Sequence, residues 1–215
     1  MELWLSRITP NPRSAQARAD LASAGALHRR LMGLLPREDL GDSPRQAAGL
    51  LFRVDESRSG TAVLVQSARK LDESRMPYDY GQIEHRELSP LLEALTTGQA
   101  VRYRIVASPT RRIGRSAKNG TKEVTTPLRG AEAEAWWHSR ARDHGIEPRS
   151  LVAHDRHDAF DRSRGRRIRH AAVLFQGAAV VTDPAAAREA VRCGIGRGKS
   201  HGCGLLSLAL LGSDT

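Results

Sequence analysis

Gly49-Leu50-Leu51-Phe52-Arg53-Val54-Asp55-Glu56-Ser57-Arg58-Ser59-Gly60-Thr61-Ala62-Val63-Leu64-Val65-Gln66-Ser67 holds two short β-rich runs around a polar centre. Apolar and β-branched residues fill Gly49–Val54 and Thr61–Ser67, while Asp55 to Gly60 suit a turn, which predicts a β-hairpin. Upstream, residues 2–9 alternate as a strand that Pro10 and Pro12 end. Residues 14–35 read as a helix, because Leu21, Ala24, His28, Leu31 and Leu35 recur three or four apart and Pro36 marks the exit. Downstream, a strand at Gln82–Leu88 and a short helical piece near Leu91–Leu95 complete a β-α-β-β-(α)-β order.

A similar order then returns. Ala100–Ala107 reads as a strand and Ala131–His144 as a helix ended by Gly145. Strands follow near Arg149–Ala153, Ala159–Arg162 and Arg166–Phe175, the last two as a second hairpin. Pro184 opens a helix that runs to about Arg192, and Leu205–Leu210 reads as a final strand. Two βαββαβ halves predict an α+β protein of two tandem ferredoxin-like (RRM-related) domains, residues 1–97 and 98–215. At 215 residues and 40% hydrophobic the chain can bury a core, but with 4% aromatics aliphatic side chains must do most of the packing.

Charge separates the halves. Residues 1–100 carry 13 Lys+Arg and 13 Asp+Glu, whereas residues 101–215 carry 21 against 11, so the whole excess of +10 lies in the second half. A polyanion partner is the expected consequence. Cys193 and Cys203 are too few for a disulfide framework and read as free thiols. The start, Met1 to Arg7, lacks the charged and apolar regions of a signal peptide, and no run is long enough to cross a bilayer. The expectation is a soluble cytoplasmic protein that does not engage a membrane.

Three stretches concentrate the positive charge. Gly194-Ile195-Gly196-Arg197-Gly198-Lys199-Ser200-His201-Gly202-Cys203-Gly204 places five glycines among cations. Such a loop can approach an anion closely, and Gly196, Arg197, Lys199 and Ser200 are its predicted contacts to a nucleic-acid phosphate. The second hairpin carries Arg162, Arg164, Arg166, Arg167 and Arg169 around a Ser-Arg-Gly turn, more cations than an edge strand needs to resist aggregation. Guanidinium forks of this kind match phosphate oxygens and guanine edges. Residues 111–122 form a basic loop with Arg111, Arg112, Arg115 and Lys118, readable as a nucleic-acid-binding patch or as a solvated connector.

His28 is the candidate catalyst. It shares a helical face with Leu31, Met32 and Leu35 and stands beside Arg29 and Arg30. It reads either as a packed imidazole or as one able to move a proton during phosphodiester cleavage. His154 and His157 lie in a His-Asp-Arg-His-Asp run whose spacing fits no zinc pattern, and the run reads as a solvated turn. No H-E-x-x-H, paired acidic metal site or nucleotide P-loop occurs, so no metal or cofactor is expected. Trp136 and Trp137 read as helix residues packed on the sheet.

Several of these residues form one signature. Trp4-Leu5-Ser6-Arg7-Ile8-Thr9 with Asn11-Pro12, Leu27-His28-Arg29 and Leu64-Val65-Gln66-Ser67 are its first parts. Ala171-Ala172-Val173-Leu174-Phe175-Gln176-Gly177 and the glycine loop continuing into Leu205-Leu206-Ser207-Leu208 are its last. Together they resemble CasE, the CRISPR repeat-RNA endoribonuclease family of type I-E systems. The resemblance implies metal-independent cleavage at the base of a repeat stem-loop, with the RNA's own 2′-hydroxyl as nucleophile. It also implies a 2′,3′-cyclic phosphate and a 5′-hydroxyl as product ends, and incorporation with other Cascade subunits. His28 matches the family's catalytic histidine, and Arg162–Arg169 its basic hairpin. One position departs: relatives carry tyrosine three residues before the histidine, where this chain has Gly25. A non-catalytic module that caps a guide RNA would show the same basic half, whereas no helix-turn-helix signature supports a DNA regulator.

Overall fold

The computed structural model describes residues 2–36, 43–113, 124–161 and 168–212. Its first sheet is antiparallel throughout, in the order β2-β3-β1-β4. These strands are β1 (Trp4–Pro10), β2 (Leu51–Ser57), β3 (Gly60–Ser67) and β4 (Gly81–Glu87). The predicted hairpin is present with a tighter turn, since pairing continues to Ser57 and Gly60. Helices α1 (Ala15–Leu21) and α2 (Ala24–Gly33) cover one face, over a core that includes Ile8, Leu27, Leu31, Phe52, Val63 and Val65. The single helix expected over 14–35 is therefore two. Ser23 adopts an extended conformation and its side chain accepts from the Ala26 amide, so it caps a new helix instead of continuing the old one.

Between β3 and β4 a single 3-10 turn, Glu73–Arg75, takes the place of a helix. Its ties explain how so short a piece holds. Asp72 accepts from the Ser74 amide, Asp72 N–H donates to Leu34 O at 2.8 Å, and Arg75 bonds to Leu35 O. Glu73 Oε1 meets His85 Nε2 at 2.9 Å, and His85 Nδ1 lies 2.8 Å from Ser6 Oγ. The helical piece α4 (Ser89–Glu93) follows β4, close to where the sequence placed it, and its Leu92 joins the core of the second sheet together with Leu3, Leu88 and Leu95.

That second sheet runs β11-β5-β10-β8, with β9 also on β10, again antiparallel. Its strands are β5 (Ala100–Ala107), β8 (Ile146–Pro148), β9 (Val152–Asp161), β10 (Ile168–Val181) and β11 (Ser207–Leu210). Helices α5 (Gly130–Asp143) and α6 (Pro184–Cys193) pack on one face, where Trp137 is fully buried and stacks on Phe175 at 5.5 Å. Both sheets share the 4-1-3-2 order of a ferredoxin-like unit, so the chain is a tandem of two such domains. The edge strand is split in two because Arg149 and Ser150 N–H groups both turn to Ala178 O. Gly177 makes that approach feasible, since a Cβ there would lie 2.1 Å from Ser150 O. The His-Asp-Arg-His-Asp run lies within β9 and not in a turn. The predicted basic loop springs from a two-stranded ribbon, β6 (Thr110–Ile113) with β7 (Val124–Pro127). Among the described residues no helix is long and apolar enough to cross a membrane.

Arg53 on β2 joins the two units. It is 2% exposed, and its Nη1 donates to Arg104 O at 3.0 Å, Leu205 O at 3.2 Å and Ser207 Oγ at 3.0 Å. Its Nε and Nη2 form a fork onto Asp55 at 2.9 and 3.0 Å. From β3, buried Gln66 donates to Val191 O and Arg192 O at the end of α6. From α6, Arg188 reaches back to Leu92 O and Leu95 O, each at 2.7 Å. Removing the Arg53 guanidinium takes a donor from the Arg104 and Leu205 carbonyls and leaves Asp55 with only the longer Arg104 contact. Arg53→Ala should cost about 3–5 kcal/mol in denaturant unfolding, and Arg53→Lys should recover only part of it, because an ammonium cannot make the fork. An unchanged midpoint in Arg53→Ala would remove this residue from the seam's energetics.

Candidate catalytic cleft at the domain seam

His28 projects from the middle of α2 and is half-buried. Leu27 and Leu31 on the same helix go fully into the core, which leaves the imidazole at the rim of that core and not inside it. The ring stacks on Phe52 of β2, centroid to centroid 6.3 Å with a 22° interplanar angle. Nδ1 is buried without a hydrogen-bond partner. Arg29 is exposed, while Arg30 turns the other way, pairing with Asp20 at 2.8 Å and lying over the Tyr80 ring.

The opposite wall is the glycine loop. Gly194 ends α6 with φ of 71°, and a 3-10 turn over Lys199–His201 is bracketed by left-handed Gly198 and Gly202. The loop closes on itself: Ile195 N–H donates to Gly204 O, and His201 and Cys203 N–H groups donate to Gly198 O. Gly204 N–H donates to Val106 O at 2.7 Å, which fastens the loop to β5. Several N–H groups of the predicted anion nest are thus used in the loop's own closure. Gly202 has φ of 82°, and a Cβ there would meet the Phe52 ring at 3.2 Å, so glycine is what allows the turn to sit against α2 and β2.

The electrostatics of this seam are one-sided. His28 titrates below its ordinary 6.5, first because burial disfavours the charged ring, then because Arg45, His201 and Arg29 repel it. The buried, unpartnered Nδ1 acts the same way, because an imidazolium would bury an unsatisfied N–H. Half-buried Lys199 is likewise held below its ordinary 10.5, by burial and then by Arg45. Burial pushes the Cys203 thiol up to about 12, so it is inert packing. Two cavities lie between the units, neither of them lined by His28 itself. One of ≈290 Å³ is lined by Leu27, Phe52, Arg156 and His201 among others; the second, of ≈470 Å³, by Arg45, Arg192, Cys193 and Lys199 among others.

Of the residues singled out in the sequence, the structure brings His28 and the Lys199–Ser200 turn together. Arg197 and Gly196 are exposed on the same loop, Gly196 beside Trp136. Arg111 lies elsewhere, on the ribbon, exposed and paired with Glu132 at 3.2 Å. Arg169 occupies β10 opposite Phe160. Arg115, Lys118, Arg162, Arg164, Arg166 and Arg167, and the side chain of Arg112, lie outside the described residues. Arg45, Phe52 and His201 were not among the sequence candidates. His201 stood within the quoted loop as one of its interleaved side chains, whereas Arg45, on the short helix α3 (Pro44–Ala47), carries no local signal.

The chain's relatives fit this geometry. A family model described as CRISPR associated protein matches residues 3–209. The chain belongs to the CasE family. It is 32% identical to the CRISPR-associated endoribonuclease Cse3 of Thermus thermophilus, over 96% of this chain and 100% of that protein. It is 30% identical to the CRISPR system Cascade subunit CasE of Escherichia coli, over 86% and 91% respectively. The structure of Thermus thermophilus Cse3 bound to an RNA representing a pre-cleavage complex superposes with a TM-score of 0.79. That match has 32% identity and covers 97% of this chain and 100% of the other.

A depressed His28 has a sign that can be checked. Below 6.5 the unfolded chain takes up this proton before the folded one does, so His28 contributes stability above 6.5 that falls away as pH drops toward the folded value. His28→Phe, which keeps a ring on Phe52, should flatten that part of the stability–pH curve. An NMR titration of the His28 ring should give a midpoint below 6.5; a midpoint above it would contradict the cationic, desolvated setting.

Proposed function

We propose that this chain is a metal-independent endoribonuclease that grips the stem-loop of CRISPR repeat RNA and cuts at its 3′ base. The observation that carries this is an accessible, neutral imidazole on one ferredoxin-like unit facing a cationic glycine loop on the other. In residues 1–97 His28 supplies the proton-transfer group; residues 98–215 supply most of the charge that holds the scissile phosphate. The mature guide RNA ends in a 2′,3′-cyclic phosphate, the downstream fragment begins with a 5′-hydroxyl, and the protein stays on its product among other Cascade subunits in the cytoplasm.

The chemistry follows from the charges. The 2′-hydroxyl oxygen attacks the adjacent phosphorus and the bond to O5′ breaks, so one proton must leave O2′ and one must reach O5′. A ring kept neutral by burial and by Arg45, His201 and Arg29 is ready to accept the first. His28 is therefore the base. Lys199, with Arg45 beyond it, offers positive charge where the pentacoordinate phosphorus gathers negative charge. Arg111, Arg112, Arg115, Lys118, Arg197 and the arginines of 162–169 would hold the RNA backbone further out, with Gly196 and Ser200 letting the strand come close to the loop. A-form RNA hides its base edges in a deep, narrow major groove, so such contacts grip phosphates and the open end of the stem.

Wild-type protein should cut hairpin repeat RNA in EDTA and leave a cyclic phosphate end. His28→Ala should bind the same RNA while cleavage falls by about two to four orders of magnitude. Lys199→Ala should slow cleavage by about two orders. Intact RNA, bound by the wild type, would mark the chain as a guide-capping module instead; His28→Ala cutting at the original rate would remove His28 from the chemistry.

A further inference from the structure

A base that starts neutral cannot also be the acid that protonates O5′ in the same step, so the seam must hold a second proton-transfer group. Helix α2 does not provide it: the turn before His28 is Ala24-Gly25-Ala26-Leu27. Cys203 is sealed away at 0% exposure. Another imidazole lines a cavity with Phe52. His201 ends the Lys199–His201 turn, which packs directly against α2 and β2. Gly202, its neighbour, rests against the Phe52 ring on which His28 is stacked. His201 is half-buried, lines the ≈290 Å³ cavity together with Ala24, Leu27 and Phe52, and has its Nδ1 3.0 Å from Ser200 Oγ.

We propose that His201 is the acid of the cleavage step, protonating O5′ as His28 takes the proton from O2′, an assignment that rests on the nuclease function above. The balance closes within the pair. The O2′–P bond forms, the P–O5′ bond breaks, the proton of the 2′-hydroxyl goes to His28, and a proton of the His201 imidazolium goes to O5′. Return of one proton from His28 to His201 through water restores the starting state. The Ser200 contact holds the ring by one nitrogen, and the left-handed glycines on either side fix the turn that carries it. The charged groups that share its cavity are Arg53 and Glu56 from β2 and Arg156 from β9, and Lys199 begins the turn that His201 ends. An RNA phosphate entering the seam brings the negative charge that favours the imidazolium, so the two rings act together only with substrate bound.

The test separates an acid from a packing residue and from the nuclease assignment itself. Single-turnover cleavage by His201→Ala, and by His201→Phe, which keeps a ring beside Phe52, should fall by about two to three orders of magnitude with RNA binding retained. The alkaline limb of the wild-type pH–rate profile should disappear in both. On RNA whose bridging O5′ is replaced by sulfur, a leaving group that needs no proton, both variants should recover wild-type rates while His28→Ala stays slow. His201 variants that cut ordinary RNA at the wild-type rate would overturn the proposal. So would variants equally slow on both RNAs while melting and binding as the wild type does. In either case, cutting by the wild type and failure of His28→Ala would leave the nuclease function standing.

Discussion

One guanidinium fixes how the two units meet at the candidate site. Arg53 is carried by the edge strand of the first sheet, yet its hydrogen bonds go to β5, to the chain just before β11 and to Ser207. Those acceptors belong to the sheet that anchors the glycine loop, through Gly204 N–H on Val106 O. Phe52, next to Arg53 in sequence, alternates to the other face of β2 and forms the floor between α2 and Gly202. A shift of the two units at Arg53 would therefore move His28 relative to Lys199 and His201. The cost of burying a charge here is offset by a carboxylate fork and three neutral acceptors, a geometry an ammonium could not satisfy.

The same seam sets the electrostatic state of the protein without RNA. Arg45, His201 and Arg29 act on one imidazole, and Glu56 and Asp55 are already engaged by Arg156, Arg53 and Arg104. Mutual repulsion in this cluster is a stored cost, and a bound phosphodiester relieves it. The arrangement that depresses His28 in the free protein is thus also the one that attracts the substrate. In the proposed mechanism affinity and base strength come from one charge distribution, and a change at Arg45 alters both.

Much of the fold was legible because its periodicities are strong. Thr61–Ser67, Ala100–Ala107 and Pro184–Cys193 are β-branched or capped runs whose local preference agrees with their place in the fold. The break in the first helix was not, since Ala22-Ser23 sits within an unbroken apolar stripe and only the Ser23 cap bond separates α1 from α2. The 3-10 turn at Glu73–Arg75 was missed for a related reason. It is held by long-range ties from His85, Leu34 and Leu35, none of which has a local pattern. At the site, His28 could be named as a candidate, but its exposure could not be decided, because a residue beside Leu27 and Leu31 faces core or cleft according to what the other unit brings. The approach of His201 to His28 exists only through the seam.

Hydrogen-bonded connectivity alone does not make a catalytic site, and this chain contains the contrast. Ser6, His85 and Glu73 form a serine–imidazole–carboxylate chain with contacts of 2.8 and 2.9 Å, the connectivity of a hydrolase relay. Ser6 is fully buried on β1, so its oxygen has no route to a substrate, and the chain acts as a staple that holds the 3-10 turn on the sheet. His28 is the opposite case: it has no hydrogen bond at its buried nitrogen, yet it stands at the mouth of a cationic seam. Satisfied polar networks stabilise, whereas the unsatisfied, partly exposed imidazole is the one whose protonation can still be changed by what binds. Aromatic usage follows the same division. Trp137, Phe175 and Tyr103 are buried under the second sheet, and its other face carries Arg102, Arg104 and Gln176 from β5 and β10. That surface can hold an RNA backbone by charge and hydrogen bonds, which suits a structured stem better than it suits unstacked bases.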